Sequence, residues 1–144
     1  MITRALIAAV IALVAIGVAA LIRRHRPEGP PVDSFPTPCQ IRRADFTRPD
    51  APWLVALFSS TTCGSCPDLA AKIAPLDSPQ VAVAELTYQD DREIHDRYGI
   101  SAVPMVVVAD AEGVVKAAFV GPTSATDIWA AVAELRAPGS TPSG

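Results

Sequence analysis

Five stretches of the chain are apolar or nearly so, and polar or turn-forming residues separate them. Trp53-Leu54-Val55-Ala56-Leu57-Phe58 is apolar at every position and of strand length, the pattern of a central strand covered on both faces. Val81–Leu86, Met105–Ala109 and Val114–Val120 read as three more strands. Asp110-Ala111-Glu112-Gly113 between the last two is turn chemistry and predicts an antiparallel hairpin. Leu69, Ile73 and Leu76 recur at helical spacing and predict a helix from Gly64 to about Leu76, with Pro67 in its first turn and Pro75 ending or kinking it. Gln89–Tyr98 predicts a short surface helix capped by Asp90 or Asp91 and stopped by Gly99. A last helix, capped by Thr123, Ser124 or Thr126, runs to Arg136 with Ile128, Trp129, Val132 and Leu135 on one face. The order β-α-β-α-β-β-α places the chain in the α/β class, with its first two strands parallel.

The fifth apolar stretch, Ala5–Ile22, is 18 residues without a charge. At 1.5 Å per residue it spans about 27 Å, enough for a bilayer core. Arg23-Arg24-His25-Arg26 follows at once and argues for an uncleaved, single-pass membrane anchor. A cleaved signal peptide is the alternative, with Gly17-Val18-Ala19 as a small-x-small site. The flanking charges mildly favour the C-terminal domain on the cytoplasmic side. A dithiol protein fits the outside, where disulfides form, so the orientation stays open. The expected organisation is an anchor with its basic flank over 1–26, a stiff Pro-rich linker over 27–43, one domain over 44–137 and a disordered tail over 138–144.

A net charge of −3 suggests no nucleic-acid surface. Three cysteines, an odd number, argue against a framework of structural disulfides. Two of them, Cys63 and Cys66, stand with two residues between them where the first strand gives way to the first helix. That arrangement sets the first thiol at a helix N-terminus, where free N–H groups and a partial positive charge favour the thiolate, the reactive form. The second thiol lies within reach to close a small disulfide ring. Cys39 reads as an unreactive thiol at the domain edge, or else as a resolving or intermolecular thiol.

With these residues in place, the chain resembles the thioredoxin-like proteins over roughly Ala44 to Arg136. Four features match in order: the apolar strand into Cys63-Gly64-Ser65-Cys66, then Tyr98-Gly99-Ile100, then Val103-Pro104 before the third strand, and Gly121 after the fourth. The resemblance implies a thioredoxin fold, with a mixed sheet of four to five strands flanked by helices. It implies a cis Pro104 lying against the dithiol, and a backbone edge at Val103 that pairs with substrate. Thr62, Gly64 and Ser65 would complete the substrate contact. No cofactor and no bound metal are implied; the partners would be protein disulfides or dithiols, and an electron donor or acceptor.

Three departures from the family pattern stand out. Thr62 replaces a common Trp and narrows the expected partner range. Ser65 replaces a Pro and brings a hydroxyl near the Cys63 sulfur. Leu57 stands where thioredoxins usually bury an Asp, while Glu85 falls where they keep a Lys. In the apolar strand Val81–Leu86, a desolvated Glu85 would suit a general base for Cys66; the alternative is a strand end in solvent. Function then reads as membrane-tethered thiol–disulfide exchange, in either direction. Two rivals are a Cu(I)- or Zn-binding module, with Cys39 and a solvated His95 as the only obvious added ligands, and a redox-inactive adaptor.

Overall fold

The computed structural model describes residues 35–139 and, further upstream, positions 12, 14, 15 and 17. The expected membrane helix falls mostly outside the described residues, as do residues 27–34 of the linker and 140–144 of the tail. Among the described residues no helix is long and apolar enough to cross a membrane.

Four strands form one mixed sheet: β1 (Trp53–Ser59), β2 (Val81–Thr87), β3 (Met105–Ala109) and β4 (Val115–Val120), in the order β2-β1-β3-β4. β1 runs parallel to β2 and antiparallel to β3, and β3 and β4 form the expected hairpin. Among the described residues no fifth strand forms. The segment before the domain reaches the sheet only as an isolated bridge between Gln40 and Val114. The uninterrupted apolar runs have a simple cause: from Leu54 to Phe58 every side chain is fully buried, because helices cover both faces.

Side-chain alternation divides the core in two. Leu57, Val55, Val106 and Val108 meet Leu69 and Ile73 of α1 (Cys66–Ile73) and Ile128 and Val132 of α3 (Ala125–Arg136). Phe58, Ala56, Met105 and Val107 meet Phe46 and, from α2 (Arg92–Arg97) and its C-terminal neighbour, Ile94 and Tyr98. Each fully buried Leu or Phe here contributes about 1.5–3 kcal/mol of transfer free energy.

The first helix is shorter than its apolar spacing predicts. It ends at Ile73, and a 3-10 turn, Ala74–Leu76, carries Pro75, whose missing N–H cannot continue the ladder. α2 is only six residues long; Asp91 stands at its N-cap, but its carboxylate accepts from the Thr87 N–H instead of capping. Ser124 is the cap of α3, accepting from the Asp127 N–H at 3.1 Å. Trp129 does not join the buried face of α3: it is 43% exposed, and its indole N–H donates to the Lys72 carbonyl at 2.8 Å, tying α3 to α1.

Candidate active site

β1 and β2 both end where β3 begins, since Ser59 pairs with Thr87 and Phe58 with Met105. Three loops therefore meet at one end of the sheet: 60–65 with the dithiol, 88–91 after β2, and 99–104 before β3. The topology brings together what the sequence scatters over about forty residues.

Cys63 and Cys66 are joined as a disulfide, with Cα atoms 5.5 Å apart. Their surroundings differ. Cys63 is half-buried, in a turn closed by its own N–H on the Ser60 carbonyl at 3.0 Å. Cys66 is buried, at 2% exposure, as the first residue of α1. The helix thus begins two residues later than Gly64, and Ser65 is its N-cap residue. Cys63 lies just ahead of the helix rather than on it, and Cys66 occupies the first turn. Both still face the positive end of the helix. The Ser65 hydroxyl makes no capping bond and sits 3.8 Å from the Cys63 sulfur, as its position in the sequence leads one to expect.

The hydroxyl run before the dithiol is internally bonded. Ser60 Oγ lies 3.0 Å from Thr62 Oγ1 and accepts from the Thr62 N–H at 3.3 Å. Gln89 clamps this loop from the β2 side, its amide donating to Ser60 Oγ at 3.1 Å while its carbonyl oxygen accepts from the Thr61 N–H at 3.0 Å. Sequence reasoning missed Gln89; the run of hydroxyls was the signal, since such a loop needs a partner to hold it. Thr62 and Gly64 are exposed beside Cys63.

The Val103–Pro104 peptide bond is cis. Pro104 is buried, and its carbonyl accepts from the Gly121 N–H at 2.8 Å, which links the loop to the end of β4. Gly121 has φ +85, so the glycine picked out after the fourth strand is required by its backbone conformation. Val103 is half-buried, and among the described residues its backbone makes no backbone hydrogen bond.

Two expectations need correction. Glu85 pairs with Leu57 in register, but its side chain is exposed on the edge strand β2, which agrees with the solvent alternative and not with a desolvated base. The ground for assigning it as a desolvated base is removed. Glu85 accepts instead from the hydroxyl of Ser59, a buried polar residue at 1% exposure, at 2.8 Å. Leu57 is fully buried and supplies no acid. His95, expected in solvent on a charged helix, is 1% exposed. Its Nε2 lies 2.9 Å from the Leu86 carbonyl, and its ring meets Phe58 and Tyr88 edge to face, with centroids 5.1 and 5.4 Å apart. That leaves it poorly placed as an added metal ligand. Among the described residues no three His, Cys, Asp or Glu side chains cluster as a metal site, and Cys39 is exposed and free.

No curated protein matches the chain. Among solved structures, the Drosophila germline-specific thioredoxin Deadhead matches with a TM-score of 0.54 at 22% identity, over 60% of this chain and 84% of that one. Fasciola hepatica thioredoxin matches with a TM-score of 0.52 at 23% identity, over 60% and 83%. Thioredoxin O2 from Arabidopsis thaliana, in its oxidised state, matches with a TM-score of 0.52 at 22% identity, over 59% and 76%. These likenesses establish the fold. The thioredoxin family profile matches residues 43–134, more than half of the chain. With the sheet order, the cis Val103–Pro104 bond and the Cys63–Cys66 disulfide in place, the chain belongs to the thioredoxin family.

Proposed function

We propose that this protein exchanges electrons with disulfides or dithiols of other proteins, with Cys63 as the attacking thiol and Cys66 as the resolving one. The single observation behind these roles is the asymmetry of the pair: Cys63 is half-buried, Cys66 buried. Cys63 as thiolate attacks one sulfur of a target disulfide, forming a Cys63–target disulfide and releasing the other target sulfur as thiolate. Cys66 as thiolate then attacks the Cys63 sulfur. The 63–66 disulfide forms, the second target thiolate leaves, and two electrons have passed to the target. Run in reverse, the same steps oxidise a target dithiol.

Val103 and Pro104, with Thr62, Gly64 and Ser65, form the substrate-facing rim in this reading. The unpaired backbone of Val103 favours it, since an extended target segment could pair there. Glu85 is given no role. We further propose that the domain is tethered to a membrane by the apolar run Ala5–Ile22, on the strength of its length, the basic cluster after it and the Pro-rich linker.

The test is a Cys66→Ala variant, incubated with a protein disulfide. It should accumulate a mixed disulfide that maps to Cys63, which Cys63→Ser abolishes. Trapping through Cys39, or none at all, would sink the assignment.

A further inference from the structure

A cavity of about 300 Å³ opens at the end of the sheet that carries the dithiol loop, lined by Ser60, Tyr88, His95 and residues 100–103. It is near the small end of the range for ligand sites, with room for a single aromatic side chain. Most of its wall is apolar: the Tyr88 ring, with the Arg92 guanidinium 5.6 Å from its centroid, and Ile100, Ala102 and Val103. Its polar groups are His95, the Ser60 hydroxyl, which already accepts from the Thr62 N–H and the Gln89 amide, and Ser101, which is exposed.

The state of His95 follows from its partner. The Leu86 oxygen can only accept, so Nε2 carries the proton. In the neutral ring the lone pair is then on Nδ1, which has no hydrogen-bond partner among the described residues. A nearly wholly buried ring with an unused acceptor, in the lining of a cavity, calls for a donor. Water can fill that need in the free protein. An apolar ligand that displaced the water would leave the nitrogen unpaired, and one carrying its own donor would not.

We propose that this cavity is a specificity pocket for a tyrosine side chain of the substrate, with His95 accepting from the phenol O–H. The proposal rests on the exchange reading above, because Val103 both lines the cavity and precedes Pro104. A target segment paired along Val103 would carry a residue flanking its cysteine past the opening.

The test uses the 144-residue chain and disulfide-bridged peptides with Tyr, Phe or Ala at the positions on either side of the cysteine. The reduced protein should favour an aromatic over Ala by about tenfold in kcat/KM, and Tyr over Phe by roughly three- to tenfold, the worth of one hydrogen bond. His95→Phe keeps an aromatic ring and removes Nδ1; it should bring the Tyr/Phe ratio to about one. Ala102→Leu fills the cavity and leaves His95 in place; it should remove the preference for either aromatic. The same three peptides in their thiol form, titrated onto the oxidised protein by NMR, should bind in the same order, with only Tyr shifting the His95 Nδ1 resonance. Equal rates and equal binding for the three peptides in the unmodified protein overturn the proposal. So does a Tyr/Phe preference that survives in a folded His95→Phe protein; should that variant not fold, Ala102→Leu decides alone. If no peptide is exchanged but the binding order holds, the exchange reading fails and the pocket stands.

Discussion

Gly113 occupies a position that admits no side chain. Its φ is +80, and a Cβ there would lie 2.0 Å from the Ile41 carbonyl oxygen. The Ile41 N–H also donates to the Gly113 carbonyl at 2.8 Å, so the two backbones are held together at this point. Gly113→Ala combines left-handed strain with a backbone clash and should cost at least about 2 kcal/mol. The midpoint of thermal unfolding should fall by roughly 10 °C, and an unchanged midpoint would mean that the contact is absent. Legibility at this scale follows how local the cause is. Gly121, Cys63, Cys66 and Pro104 could be picked out because each imposes its own constraint on the backbone or the chemistry. Glu85 and His95 could not. Exposure at Glu85 depends on β2 being an edge strand, and burial of His95 depends on Phe58 and Tyr88 closing over it.

At the scale of elements, one clamp joins the 3-10 turn Arg43–Asp45 to the end of α2. Asp45 accepts a hydrogen bond from the Tyr98 hydroxyl and another from Arg97 at 2.8 Å, and Tyr98 in turn accepts from the Arg42 N–H at 3.0 Å. Burial works to raise the pKa of Asp45, but the bonds from Tyr98 and Arg97 outweigh it and hold the carboxyl below its ordinary value. Burial, then the bond to Asp45, push Tyr98 upward. For a carboxyl depressed on folding, the sign is fixed: the stabilisation is full above the unfolded pKa of about 3.9 and is lost as pH falls through the folded value. Denaturation midpoints of the unmodified protein and Asp45→Asn should therefore differ at about pH 7 and converge as pH drops below about 4. A gap that stays constant would remove Asp45 from the clamp. This clamp is not visible in the sequence, since Asp45 and its partners Arg97 and Tyr98 stand 52 and 53 residues apart. Nor is the buried Arg43, which donates to the Ala51 and Asp110 carbonyls at 2.8 and 3.0 Å; burial pulls its pKa down, against the opposing pull of Asp110 and Asp50. Strand positions were legible nearly to the residue; for the central strands β1 and β3 the reason is that two-sided burial demands unbroken apolar runs. Helix starts were less so, since α1 and α2 begin at Cys66 and Arg92 rather than at Gly64 and Gln89, whereas Pro75 and Arg136 mark helix ends as expected.

For the whole molecule, connectivity makes the site. Parallel β1 and β2, with β3 antiparallel, bring the dithiol loop, the Gln89 loop and the Val103–Pro104 loop to one sheet end. The parallel β1–β2 pair and the β3–β4 hairpin were readable from the succession of elements, and with them the fold and the dithiol; the antiparallel pairing of β3 with β1 was not. Nor was the choice between four and five strands, since the segment before the domain makes only the Gln40–Val114 bridge. Neither was the cavity, which needs side chains from three loops to close. The central claim is that the 63–66 pair exchanges electrons with a protein disulfide through Cys63. Its most direct measurement is a single turnover of the fully reduced chain against one equivalent of a protein disulfide, quenched with alkylating reagent and mapped by mass spectrometry. The expected result is a target carrying two new thiols and a protein carrying only the Cys63–Cys66 disulfide, with Cys39 alkylated and with no reaction in Cys63→Ser. A target that stays oxidised, or one reduced equally well without Cys63, would contradict it.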